Sequence, residues 1–131
     1  MTIQATISYG EFLDKLTILE IKAERITDAA KLQNIKNELN IVNKLWLENA
    51  ASKIDISKEL TALKKVNEKL WEIEDAIRDK ERQQEFDQQF IELARSVYFE
   101  NDDRANIKRE INIKLGSDLI EEKSYSDYKN T

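Results

Sequence analysis

Several charged and amide side chains fall on the apolar faces of predicted helices, where they could bind a ligand or one another. On the longest predicted helix, at about 100 degrees per residue, four polar residues share the arc of the leucines: Asn67, Glu74, Arg78 and Glu81. Glu20 and Glu24 lie one turn apart in the first predicted helix, and Arg104 aligns with the apolar stripe of the last one. A buried charge is costly unless it is paired, so these side chains should contact one another, a metal ion or a cavity.

Two arrangements would satisfy these charges. The first is an internal ion network in which Arg78 pairs with Glu74 and with one or both of Glu20 and Glu24. In the same network, Arg104 pairs with Glu81 or Asp102. In the second, the carboxylates bind Mg²⁺ or Mn²⁺ and an arginine binds a phosphate, because oxygen ligands suit these cations. Glu20 and Glu24 could reach one ion from one helix face. The sequence leaves both arrangements open.

The residue types that are missing exclude several enzyme mechanisms. The chain has no histidine and no cysteine, which excludes serine–histidine catalysis, thiolate chemistry and disulfides. Its only glycines, Gly10 and Gly116, are too far apart to form a glycine-rich phosphate loop. Acid–base catalysis by a pair of carboxylates stays possible. We therefore expect no cofactor, unless the carboxylates bind Mg²⁺ or Mn²⁺.

Charge and hydropathy argue against two classes of partner. A net charge of -5 disfavours the phosphate backbone of nucleic acids. No segment approaches the roughly 20 apolar residues that a membrane span needs. We expect a cytoplasmic protein with no nucleic-acid partner and no membrane partner.

The elements that must position these side chains are all predicted to be helices. The chain contains no proline, and its apolar residues recur at helical spacing. Ser8 and Glu11 form a capping box, so the first helix should begin near Tyr9 and run to about Ile26. That helix is apolar nearly all round, which places it either at the centre of the bundle or against a second subunit.

Further signals divide the rest of the chain. Thr27 and Asp28 are candidate caps for a second helix, residues 49–52 are a candidate loop, and a long helix should run from about Ser57 into residues 79–85. Another helix carries Phe86 and Phe90, and whether the chain turns near Gln84 stays open. Residues 101–103 offer a break before a last helix that ends at Gly116.

These signals predict an all-α fold, an antiparallel bundle of four or five helices. Residues 1–116 should form a single helical domain. Residues 117–131 should form a polar C-terminal tail, with Tyr125 and Tyr128, that is ordered only if something holds it.

Four segments carry a family resemblance: LWEIEDAIR at 70–78, ARSVY at 94–98, ND at 101–102 and KREIN at 108–112. They resemble a small, uncharacterised helical family of bacterial and viral proteins. The resemblance covers most of the chain, including residues 8–25 and KSY at 123–125. It implies an all-helical domain and brings no activity with it.

Glu72 and Asp75 carry a second, looser similarity, because they match the pattern E-x-x-D. All-α nucleotide pyrophosphatases hold Mg²⁺ with carboxylates in the patterns E-x-x-E and E-x-x-D on two helices. The first helix departs from this pattern, since Glu20 and Glu24 are four residues apart. The similarity implies a metal site formed by Glu20, Glu24, Glu72 and Asp75.

The sequence favours a homo-oligomeric interaction or assembly module of unknown function over an enzyme. The all-round apolar first helix suggests oligomerisation, and Trp46 and Trp71 are candidate interface residues. The alternative is a Mg²⁺-dependent nucleotide phosphohydrolase in which Arg78 or Arg104 contacts the phosphate. A third possibility, an acidic surface that binds a basic protein partner, rests on net charge alone.

Overall fold

Four helices make up the fold in the computed structural model, which describes residues 1–128. They are α1 (Tyr9–Arg25), α2 (Ala29–Glu48), α3 (Ser57–Arg82) and α4 (Gln88–Leu115), and a short 3-10 turn at Ala50–Lys53 leads from α2 towards α3. No strand occurs in this part of the chain. The all-α prediction is confirmed. None of the helices within residues 1–128 is long and apolar enough to cross a membrane.

Local capping interactions begin and end these helices. Ser8, Asp28 and Asp87 each accept a hydrogen bond from a backbone N–H in the first turn of α1, α2 and α4. At the other end, Gly116 adopts the left-handed conformation with φ 66° and ends α4. Glycine takes this conformation without the steric cost that a Cβ atom brings.

The chain does turn near Gln84, whose backbone is left-handed with φ 56°, so α3 and α4 are separate helices. The predicted break at residues 101–103 is wrong, because these residues lie inside a continuous α4. An Asn or Asp residue inside a helix lowers the stability of the helix by less than about 1 kcal/mol relative to alanine. Packing of α4 along α3 outweighs that preference.

The helices form three layers, with α1 in the middle. Helices α3 and α4 form a long antiparallel hairpin, α1 packs on one face of that hairpin, and α2 packs on the outer side of α1. The core lies around α1, whose Leu13, Leu16 and Leu19 are buried together with Trp46 and Ile111. This central position accounts for the all-round apolar character of α1 without a second subunit.

Candidate functional site

Four of the predicted polar residues line one groove. This polar groove lies between α3 and α4 beside Ile18 of α1 and has a volume of about 510 Å³. Its lining residues are Ile18, Asn67, Leu70, Trp71, Glu74, Asp75, Arg78, Asn101 and Arg104. The structure therefore brings Asn67, Glu74, Arg78 and Arg104 to one place and leaves Glu20, Glu24 and Glu81 outside the groove.

The ion pairs differ from the predicted network. Arg78 pairs with Glu74 within α3, and this contact raises the pKa of the arginine, but both side chains are at the surface. Glu20 and Glu24 contact Lys64 rather than Arg78, with Nζ to carboxylate distances of 3.7 and 2.6 Å. The reason is geometric, because Lys64 lies beneath the last turns of α1 whereas Arg78 lies nearer the tip of the hairpin, beyond the part that α1 covers.

The other predicted partners are also apart. Glu81 is exposed, and Arg104 contacts neither Glu81 nor Asp102 within the described residues. Arg104 faces Asp14 instead, with Nη1 3.9 Å from Oδ2.

Of the four carboxylates of the alternative metal site, Glu20, Glu24 and Glu72 each contact a cationic side chain, whereas Asp75 lines the polar groove. Lys64 contacts Glu20 and Glu24, and its pKa is raised by the hydrogen bond to Glu24. Glu72 lies 3.4 Å from Arg25 across the α1–α3 contact. Among residues 1–128, no three acidic side chains come together in a way that could hold a metal ion. The phosphohydrolase alternative therefore gains no support from the geometry.

The most buried carboxylate is Asp14, which the sequence did not single out. Asp14 is only 6% exposed, at the junction of α1, α3 and α4. Asn67 Nδ2 donates hydrogen bonds to Asp14 Oδ1 at 2.9 Å and to Thr17 Oγ1 at 3.0 Å. Lys108 Nζ lies 3.8 Å from Asp14 Oδ2. This Asp14 cluster is a satisfied polar network that fixes how α1 sits on the hairpin.

A signal for the cluster was present in the sequence. Asp14, Thr17 and Ile21 are spaced i, i+3 and i+7, so they share one stripe of α1 with buried leucines on either side. A short carboxylate near a threonine on an apolar stripe indicates that both side chains have hydrogen-bond partners on a neighbouring helix, because an isolated buried charge is too costly.

A second polar contact ties α1 to α4 and to the tail. Asn112, 1% exposed, accepts a 2.6 Å hydrogen bond from Gly10 N and donates one of 3.1 Å to Glu121. Glu121 also accepts from the hydroxyl of Ser8. Burial alone would raise the pKa of Glu121, but the hydrogen bonds from Ser8 and Asn112 and the charge of Lys108 outweigh it and lower the pKa.

The tail lies along α4 as far as it is described. Arg109 contacts Glu122 at 2.7 Å, and Tyr128 donates a 2.6 Å hydrogen bond to Asp102 while its ring packs on Tyr98 and Phe99. Burial and the hydrogen bond to Asp102 raise the pKa of Tyr128 to about 12. Tyr125 is exposed. The predicted tail extends to residue 131, and residues 129–131 lie outside the described part.

The face of the α3–α4 hairpin opposite α1 carries two shallow grooves lined by α3 and α4 alone. We call it the open face. Near the base of the hairpin its lining residues are Ala62, Lys65, Val66, Lys69, Asp103, Asn106 and Ile107. Near the tip they are Ala76, Asp79, Lys80, Gln83, Gln89, Glu92 and Leu93. The volumes are about 330 and 460 Å³, respectively.

Sequence comparison identifies a family and no activity. No curated protein and no solved structure matches the chain significantly. A family match covers residues 3–131, nearly the whole chain. The expectation of an uncharacterised helical family is thereby confirmed: the chain belongs to the family of unknown function DUF6165.

Proposed function

We propose that this protein is a helical assembly module in which two copies pair through the open face of the α3–α4 hairpin. One observation carries the proposal: no residue from Trp71 to Glu110 is buried. An enzymatic role has less support, because no three acidic side chains within residues 1–128 come together as a metal site.

Apolar residues contribute to both grooves of the open face. They are Ala62, Val66 and Ile107 near the base, and Ala76 and Leu93 near the tip. Neither groove is lined by a residue of α1 or α2. Covering this face would remove apolar surface from water at about 25 cal/mol per Å².

The open face has the area that a stable dimer needs. A helix of 26 residues is about 39 Å long, and two packed helices are about 20 Å wide. The face therefore measures about 800 Å², which is the area that each partner of a standard protein–protein interface buries.

The charges at the base of the open face favour a second copy as the occupant. At the base of the hairpin, α3 contributes Lys65 and Lys69, and α4 contributes Asp103. When two hairpins lie face to face and point in the same direction, α3 of one copy lies over α4 of its partner. The lysines of each copy then face the aspartate of the other, as electrostatic complementarity requires.

The Ala76→Glu variant tests this interface. The wild-type chain should show twice its mass of 15.4 kDa by light scattering at high concentration. Ala76 lines the tip groove, and a carboxylate there would be desolvated once in each half of a symmetric dimer. We expect the dissociation constant of the variant dimer to be about a hundredfold higher than that of the wild type.

Ala30→Glu is the matched control, because Ala30 is exposed on α2, away from the hairpin. It should leave the mass unchanged at every concentration. A wild-type mass of one chain across a tenfold range near about 100 μM would contradict the proposal, as would equal effects of the two variants.

A further inference from the structure

The polar groove contains hydrogen-bond donors that no protein atom within residues 1–128 uses. The Arg104 guanidinium donates no hydrogen bond to any described residue. Its Nη1 lies 3.9 Å from Asp14 Oδ2, which is beyond hydrogen-bonding distance. The side-chain amide of Asn101 and the indole N–H of Trp71 likewise donate to no described residue, and both residues line the same groove. These groups are available to an acceptor-rich ligand.

The rest of the groove suits an apolar body. Ile18, Leu70 and the Trp71 ring line it, and its volume of about 510 Å³ lies within the range of small-molecule sites. Asn67 is not expected to bind the ligand, because its side-chain amide already donates hydrogen bonds to Asp14 and Thr17.

Nearby charges limit how negative the ligand can be. Glu74 and Asp75 line the groove as well, and Arg78 is already paired with Glu74. The chain as a whole carries a charge of -5. Asp14 also lies 3.9 Å from Arg104. A group with one negative charge therefore meets less repulsion from these carboxylates than a phosphate, which carries close to two charges near pH 7.

We propose that the polar groove binds a small monocarboxylate, with its carboxylate on Arg104 and Asn101 and its apolar body against Trp71. A planar guanidinium matches a carboxylate in two parallel hydrogen bonds. This site lies on the α1 side of the hairpin and is independent of the open face on the other side.

Benzoate is a suitable probe, and the two tryptophans report on its position. Trp71 lines the polar groove, and Trp46 lies in the core between α1 and α2. In NMR spectra, the indole N–H resonance of Trp71, assigned by comparison with the Trp71→Phe variant, should shift as benzoate is added. The dissociation constant should be millimolar, and the indole N–H resonance of Trp46 should not shift. Benzamide, which has the same ring without the charge, should bind at least tenfold more weakly. Phenyl phosphate should also bind more weakly than benzoate.

The Arg104→Lys variant separates ligand binding from folding. Lysine keeps a positive charge beside Asp14 but cannot donate two parallel hydrogen bonds, so benzoate affinity should fall about tenfold with little change in melting temperature. Arg95→Lys, an exposed site on the same helix, should bind benzoate as the wild type does. Three results would overturn the proposal. The first is a Trp71 resonance that does not shift at about 10 mM benzoate, a concentration ten times a millimolar dissociation constant. The second is equal binding of benzamide or phenyl phosphate, and the third is a shift of the Trp46 resonance instead.

Discussion

Gly10→Ala is expected to lower the free energy of unfolding by about 2 kcal/mol. A Cβ atom at Gly10 would lie 2.6 Å from the carbonyl oxygen of Lys108 and 3.0 Å from Asn112 Oδ1. The first of these atoms belongs to the backbone of α4 and cannot rotate away. α1 must therefore move outwards, which weakens the hydrogen bond from Gly10 N to Asn112. The gain in helix propensity, about 1 kcal/mol, is too small to compensate.

Chemical denaturation of the variant measures this effect. Gly116→Asn is the control, because φ is 66° there, nothing lies within 4 Å of an added Cβ, and Asn tolerates left-handed backbone. This control should lower the free energy of unfolding by less than about 1 kcal/mol. A Gly10→Ala variant as stable as the wild type would mean that α1 and α4 are not in close contact at this point.

Asn67→Leu is expected to cost about 3 kcal/mol of stability. The substitution removes the donor that Asp14 and Thr17 share and leaves a buried carboxylate without a hydrogen bond from α3. Arg104 and Lys108, at 3.9 and 3.8 Å from Asp14 Oδ2, supply charge but lie beyond hydrogen-bonding distance.

A double-mutant cycle isolates this interaction. Asp14→Leu combined with Asn67→Leu should be less destabilised than the sum of the single variants, because each removes the partner of the other. Asn34→Leu, on the exposed surface of α2, should change the free energy of unfolding by no more than about 0.5 kcal/mol. Strict additivity of the two core substitutions would contradict the proposed role of the Asp14 cluster.

Local chemistry made the helix ends predictable from the sequence. Ser8, Asp28 and Gly116 act through backbone groups within a few residues, so their roles can be recognised without knowing the fold. The same kind of signal failed at residues 101–103, because whether a potential cap ends a helix depends on what the helix packs against. There α4 continues along α3.

The polar site was only partly predictable, since a helical wheel assigns residues to a face but not to a neighbouring helix. Asn67 and Arg78 share an arc of α3, yet Asn67 lies beneath α1 and is buried, whereas Arg78 lies beyond the part that α1 covers and is exposed. The relative lengths of α1 and α3 limit how much of that arc is covered. The local signal at Asp14 does not identify its partner, because Asn67 lies 53 positions away in the sequence.

The central claim is that two copies meet at the open face, and a charge-swap mixture tests it most directly. Lys65 and Asp103 are exposed, line the same groove and are predicted to face each other across the dimer. Lys65→Glu alone should be monomeric, since two carboxylates would face each other in each half of the interface. Asp103→Lys alone should be monomeric for the same reason, with two ammonium groups opposed.

Light scattering of an equimolar mixture of the two variants is the decisive measurement. In a mixed dimer, the glutamate introduced at position 65 of one copy would face the lysine introduced at position 103 of the other. The unchanged Lys65 and Asp103 would face each other in the second half of the interface, so both contacts would be complementary. We predict that the mixture recovers twice the 15.4 kDa mass of one chain, although neither variant does so alone. A mixture that stays at the mass of one chain, or single variants that remain dimeric, would contradict pairing through this face.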